Sequence, residues 1–349
     1  MSLRMTPMQR ILTTLGHEEP DRVPMFLVFT MHGAKELGLS IKEYFSKPEN
    51  VAEGQVRVCR KFGNDCVNGY YYAPIEIEAW GGEVIFRDDG PPNSGMPFIK
   101  DFEDIRGLVP PDVKDCKCLT KALEAQRLMK EKVGDDIPVI GTVVSPFSLP
   151  VMQMGFGKYI ELIYEHKELF EYLMRINEDF CVQWANAQFD AGCTAVGYFD
   201  PVSSTTIVDK DLYLRTGHNI ARRTLSRIKG PTATHFAAGR CYSIIEDVIQ
   251  TGTAAVGVSV LEDLQMIKNA CKGRITVLGN LNGIEMRRWS QEETTAIVKD
   301  AIAKAGKGGG FILSDNHGEI PFQVPDDVLL AIGDAVNEWG RYPLKWLDK

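Results

Sequence analysis

Eight short runs of apolar and β-branched residues punctuate the chain, at residues 23–30 (VPMFLVFT), 65–72 (DCVNGYYY), 137–144 (IPVIGTVV), 194–200 (TAVGYFD), 232–236 (TATHF), 254–260 (AAVGVSV), 275–279 (ITVLG) and 310–314 (GFILS). Between them apolar positions recur at helical spacing, over 159–190, 209–228, 244–251, 291–305 and 326–339. Asp209 and Ser290 stand where helix N-caps belong, and Pro325 suits a first turn. Near-continuous apolar strands alternating with amphipathic helices predict a parallel sheet covered on both faces. Eight such units fit a closed (β/α)8 TIM barrel better than an open doubly wound sheet, and no G-x-G-x-x-G follows the first run. The glycines at 308–310 precede a strand and read as a turn rather than a phosphate cradle. Residues 81–115, rich in Pro and Gly, read as an insertion capping one barrel face. The chain is therefore expected to be one barrel domain over residues 4–349.

Composition narrows the function classes. The 349 residues are 44% hydrophobic and 25% charged, an ordinary globular profile. With 39 Lys+Arg against 47 Asp+Glu, a formal charge of -8 and no basic block, nucleic acid is not an expected partner. No apolar stretch is long enough to span a membrane, and the first residues lack the apolar core of a secretory leader, so the expectation is a cytoplasmic protein. Eight scattered cysteines suit reduced, mostly buried thiols. Cys116 and Cys118, the one close pair, lack the second pair or neighbouring His of a metal site.

In such a barrel the chemistry sits where the strands end. Those positions carry Thr30 and His32, then Tyr70, Tyr71, Tyr72 and Glu76, then Ser145, Asp200, His235, Ser259 and Asn280, and finally Asp315, Asn316 and His317. A single His near a strand end is usually structural; His235 and His317 on one mouth, with Asp200 between them in strand order, suit a metal or acid/base site. Met152, Met154 and Phe156 read as lining or core.

The sequence resembles the superfamily of uroporphyrinogen decarboxylases and the cobalamin-dependent methyltransferases related to them, over almost its full length. The residues that carry the likeness are 21–24 (DRVP), 76–81 (EIEAWG), 145–149 (SPFSL), Ala191 with Gly192, Asp200 with Pro201, His235, 278–282 (LGNLN) and 317–321 (HGEIP). The resemblance implies a (β/α)8 barrel, in agreement with the strand count. Decarboxylases of this superfamily hold the porphyrinogen with two arginines after the first strand and an aspartate after the second. Phe29, Gly33 and Tyr72 occupy those positions here, so decarboxylation of uroporphyrinogen is not expected. The methyltransferases carry zinc on a His-x-Cys after strand five and a Cys after strand eight, which correspond to His235, Ala237 and His317.

The resemblance accordingly implies a methyltransferase that takes a methyl group from a small donor, a methyl ether by preference, and passes it to the cob(I)alamin of a separate corrinoid protein. In this reading His235 and His317 bind zinc with Glu76 or Asp200 completing the shell, or one histidine protonates the leaving oxygen with Asp200 beside it. Phe29, Tyr70, Tyr71, Tyr72 and Phe147 form an aromatic wall, and Asn280 joins the substrate site. Two other classes stay open: a metal-free lyase acting on a small carboxylic acid through His317 and Asp200, and a non-catalytic protein that binds a corrinoid or tetrapyrrole.

Overall fold

The computed structural model describes residues 5–348, so the outermost residues of the expected 4–349 domain lie outside the described residues. Seven parallel strands form one continuous sheet: β1 (Val67–Asn68), β4 (Val139–Val144), β5 (Ala195–Phe199), β6 (Thr232–His235), β7 (Ala255–Gly257), β8 (Thr276–Leu281) and β9 (Phe311–Asp315), in that order. Between β1 and β4 a separate antiparallel hairpin pairs β2 (Val84–Ile85) with β3 (Asn93–Ser94). Helices separate the strands, and the architecture is the (β/α)8 barrel expected from the eight runs.

The first run, 23–30, closes the barrel without becoming a ladder strand. Toward β9, Met25 bridges Leu313 in parallel, Phe26 N–H donates to the Leu313 carbonyl and Leu313 N–H to the Pro24 carbonyl, both at 2.9 Å. Pro24 has no N–H to offer a ladder. Toward β1 side chains substitute for strand pairing: Leu27 N–H donates to Asn64 Oδ1 at 2.8 Å, Asn64 Nδ2 returns a bond to the Leu27 carbonyl at 2.9 Å, and Met25 N–H donates to Asp65 Oδ2 at 2.8 Å. Asp65 is 1% exposed and also accepts from Arg10 at 2.5 Å and from Arg22 at 2.8 Å. Asp21 holds Arg10 from the other side through Nε and Nη2. One buried carboxylate thus ties the N-terminal helix Pro7–Leu15, the first run and the approach to β1 together.

Several helices are shorter than the pattern predicts. The expected 159–190 helix is two, Phe156–Glu165 and Lys167–Asp190, separated where His166 turns to φ -126 and ψ 55. The 209–228 stretch is likewise Lys210–Arg215 and Gly217–Leu225, broken at Thr216. The second begins with Gly217 because a Cβ there would come within 2.3 Å of Ser203 Oγ. Gln291–Ala305 and Asp326–Trp339 match their expected bounds. Asp209 and Ser290 cap as anticipated, accepting from Leu212 N and Glu293 N, whereas Pro325 stands at the N-cap rather than in the first turn.

Residues 81–115 hold the β2–β3 hairpin and two 3₁₀ turns, Phe102–Gly107 and Val113–Asp115. Phe86 packs on Tyr72 and Phe45, Trp80 stacks on Phe98, and Gln323 in the loop after β9 donates to the Asp89 carbonyl. The hairpin therefore touches both the segment after β1, through Tyr72, and the loop after β9, through Gln323. All eight cysteines are free thiols, seven of them buried. Among the described residues no helix is long and apolar enough to cross a membrane.

Asp65 generates the first prediction. Asp65→Ala leaves Arg10, itself 4% exposed, with half of its carboxylate partners and removes an acceptor from Met25 N–H. Breaking a buried pair in this way costs about 3 kcal/mol or more. Urea unfolding of the variant should show that loss; a change below about 1 kcal/mol, the range of an exposed ion pair, would mean that closure does not depend on this carboxylate.

Candidate active site

The alternation of side chains after β1 decides which tyrosines reach the mouth. Successive residues of an extended segment point to opposite faces, so Tyr70 and Tyr72 share one side and Tyr71 takes the other. Tyr70 donates its hydroxyl to the Phe45 carbonyl at 2.6 Å, Tyr72 to the Glu78 carboxylate, and both rings pack on Phe45 away from solvent. Tyr71 keeps a half-buried ring and a hydroxyl that is sheltered and unpartnered. Glu76 and Glu319 lie close enough to act on that hydroxyl electrostatically.

Glu76 sits on the short helix Ile75–Ala79 directly after this segment and is fully buried. Its Oε1 accepts the Val144 N–H at 2.7 Å and its Oε2 has no partner. Burial without a cation pushes its pKa up to about 8. Glu319, bonded to the Thr30 hydroxyl, is pushed up to about 7, and Asp315, which accepts from Val28 N and Gly318 N, to about 6, both chiefly by burial. Asp200 is buried at the end of β5 and accepts from the Ser145 and Ser148 hydroxyls; burial raises its pKa and these bonds hold it back.

His235 ends β6. Its Nδ1 accepts the Ala237 N–H at 3.0 Å, its ring stacks on Phe199 with centroids 5.8 Å apart, and its Nε2 is sheltered and unpartnered. Burial lowers its pKa to about 4, with a smaller contribution from His317, whose own pKa burial also lowers. The loop after β9 passes directly over this ring. A Cβ on Gly318, which sits at φ +81, would stand 2.8 Å from Phe199 and 3.4 Å from His235, so no larger residue fits there without displacing them. His317 Nδ1 receives the Asn316 amide at 2.7 Å when that amide is oriented to satisfy both of its ends.

His235 and His317 thus act on one another, as do Asp315 and Glu319; Glu76 and Glu319 act on Tyr71, and Thr30 is bonded to Glu319. The expected metal trio of His235, His317 and Glu76 is not assembled. Among the described residues no three His, Cys, Asp or Glu side chains approach closely enough to share an ion. Each imidazole has its Nδ1 occupied, Ala237 offers no thiolate, and Glu76 is anchored to the β4 backbone. A catalytic zinc needs three protein ligands, and the arrangement does not fit one.

The aromatic wall also differs from expectation. Phe29 and Phe147 are 0% exposed, Phe29 against Phe62 and His32, Phe147 against Tyr159 and Phe170. Tyr70 and Tyr72 belong to the Phe45 cluster, leaving Phe199 and Tyr71 as the rings near the polar groups. His32 is buried with both nitrogens unpartnered, and burial lowers its pKa to about 3. Asn280 donates to the Ser259 carbonyl at 3.0 Å and lines a cleft of about 380 Å³ between the loops after β7 and β8. Glu319 and Phe199 were assigned no role by the strand-end reading, because one lies four residues past its strand and the other looks like core.

The sequence profile of the uroporphyrinogen decarboxylase (URO-D) family matches residues 6–339. The chain belongs to this family. Its relatives within the family differ in activity. A Methanosarcina barkeri protein named methylcobamide:CoM methyltransferase MtaA is 24% identical over 280 residues, 78% of this chain and 81% of that protein. Xylella fastidiosa uroporphyrinogen decarboxylase is 23% identical over 355 residues, 95% of this chain and 98% of that enzyme. Among solved structures, a methyltransferase from Methanosarcina mazei superposes with a TM-score of 0.85 at 22% identity, covering 96% of this chain and 99% of its own. That likeness confirms the fold.

Phe29, Gly33 and Tyr72, the positions that the resemblance sets against the decarboxylases' charged residues, are committed to packing and internal bonds in this chain. A Cβ on Gly33 would meet Tyr44 Oη at 2.5 Å, so no side chain can stand there; Phe29 is core and Tyr72 is committed to Glu78.

A carboxyl with a raised pKa gives a signed prediction. Glu76 binds a proton in the folded protein up to about pH 8, whereas an unfolded glutamate releases it near 4.3. The folded state then holds the extra proton throughout that window, and stability must fall as pH rises across it, by at most about 1.4 kcal/mol per unit. Glu76→Gln removes this slope. Urea midpoints from pH 5 to 9 should show wild type losing ground to the variant up to about pH 8 and running parallel above it. Parallel curves throughout would mean that Glu76 is ionised in the folded protein.

Proposed function

We propose that this protein is a methyltransferase that moves a methyl group from a small oxygen-bearing donor to the cob(I)alamin of a separate corrinoid protein. The observation that carries the reading is a group of buried carboxyls whose pKa values are all raised by burial, foremost Glu76 at about 8, with an Oε2 that has no hydrogen-bond partner. Such a group offers no cation to pair a polycarboxylate, and Glu76 can supply a proton to a leaving oxygen. The named methyltransferases among the relatives support the same direction. A reducing cytoplasm, consistent with eight free thiols, is where the proposal places the protein.

The corrinoid partner brings the electron pair that forms the new bond to the methyl carbon. The chain's residues deal with the other side of the reaction. As the carbon–oxygen bond breaks, its electron pair stays on oxygen, and the Glu76 carboxyl hands over its proton at Oε2, the atom left free of hydrogen bonds. His235 and His317, lowered by burial, are neutral at pH 7 and less suited to this role than the carboxyl. Asp200, held by Ser145 and Ser148, fixes the β4 and β5 ends that carry Val144 and Phe199.

The test combines purified protein with a reduced corrinoid protein and a panel of methyl ethers, methylamines and methyl thioethers, following the visible spectrum of the corrinoid. Ethers should be demethylated at rates on the order of 1 per second, with activity declining above about pH 8 and reduced roughly a hundredfold or more in Glu76→Gln. Uroporphyrinogen should remain unchanged. The longer match to the decarboxylases favours one competing reading, a lyase acting on a small carboxylic acid. Release of carbon dioxide from such an acid, with no methyl transfer from any donor, would replace the proposal by that reading.

A further inference from the structure

The Tyr71 hydroxyl is not used by the fold. The hydroxyls of its neighbours Tyr70 and Tyr72 bond to the Phe45 carbonyl and the Glu78 carboxylate. Tyr71 Oη is equally sheltered and bonds to nothing. A sheltered hydroxyl without a partner is destabilising, and native proteins rarely keep one unless a ligand or an ordered water completes it. Oε2 of Glu76, in electrostatic reach of the same hydroxyl, is unpartnered as well. A phenol and a buried carboxyl oxygen close along the chain thus both lack a hydrogen-bond partner, and the carboxyls that act on the phenol, Glu76 and Glu319, do so without bonding to it. A phenol hydroxyl is complementary to a neutral oxygen with free lone pairs; sulfur is a weak acceptor and a cationic amine has none to offer.

We infer that Tyr71 is the residue that selects an oxygen-bearing donor in this site, its hydroxyl donating to the oxygen that carries the methyl group. The inference rests on the methyl-transfer reading and narrows it to ethers over thioethers. Phe199, stacked on His235 near Gly318, supplies an aromatic surface for the body of such a donor.

The experiment uses anisole and thioanisole, neutral probes that differ only in oxygen against sulfur. Binding to the resting protein is measured by ligand-observed NMR, and methyl transfer to reduced corrinoid protein is measured separately, in wild type, Tyr71→Phe and Tyr70→Phe. Wild type should prefer anisole by about tenfold or more, because a site built to hydrogen-bond a group discriminates against an analogue that cannot accept. Tyr71→Phe should lose that preference, and Tyr70→Phe should keep it. Tyr71→Phe should also melt at the wild-type temperature or above, since it deletes a sheltered hydroxyl that bonds to nothing.

No preference in wild type, an unchanged preference in Tyr71→Phe, or a Tyr71→Phe that unfolds would each overturn the assignment, the last by showing that the hydroxyl is structural. Tyr71-dependent binding of anisole without methyl transfer would keep the assignment and remove the methyltransferase reading. Transfer with a preference indifferent to Tyr71 would do the reverse.

Discussion

Closure of the barrel turns on Asp65, a carboxylate buried beneath β1 that accepts from Arg10, Arg22 and the Met25 N–H together. Pro24 removes one ladder donor from the first run, and Asn64 and Asp65 supply from side chains what a regular strand would have supplied from backbone. The first run is the segment that delivers Thr30 to Glu319 and Val28 N–H to Asp315 at the opposite end of the barrel. Without it neither carboxyl would be fixed against the mouth.

The two ends of the barrel handle acidic residues in opposite ways. At the lower rim Asp21 and Asp65 are matched by two arginines. At the mouth Glu76, Asp315 and Glu319 receive hydrogen bonds but no cation, and burial raises all three. Ion pairing fixes geometry and silences acid chemistry; burial without a partner keeps the proton available near neutral pH. The same logic bears on a polyanionic ligand such as a tetrapyrrole carboxylate. A polyanion needs the cations that Phe29 and Gly33 exclude, Phe29 by filling the core and Gly33 by leaving no room for a side chain.

The barrel was legible in the sequence because each strand is buried on both faces and therefore reads as a short continuous apolar run. The break at Thr216 was not, since nothing in the local spacing marks it, and the close approach of Gly217 to Ser203 beside it joins residues of different elements. At the candidate site, strand-end position named Glu76, Asp200, His235 and His317 as candidates, and in the structure they lie on or just past the strand ends. It could not choose among three consecutive tyrosines, where the parity of an irregular segment and the hydrogen bonds of Tyr70 and Tyr72 decide. Nor could it tell that both histidines use their Nδ1 locally, which leaves the substitution of Ala237 for a thiolate uncompensated. Glu319 was hidden for a similar reason, because its partner Thr30 lies 289 residues away.

That separation bears on how the protein is made. Contacts between the first run and the loop after β9 can form only when about nine-tenths of the chain has been synthesised, and until then the first run and β8 are the edges still to be joined. Exposed edges of this kind invite pairing with other chains, and the early helix carrying Arg10 has its Asp65 partner long before β9 arrives. The lower rim can therefore assemble during synthesis while the mouth stays unformed. The partners of Asp315 and Glu319 on the first run are therefore the last to be brought together, and a chain that has not completed its barrel leaves both carboxyls without them.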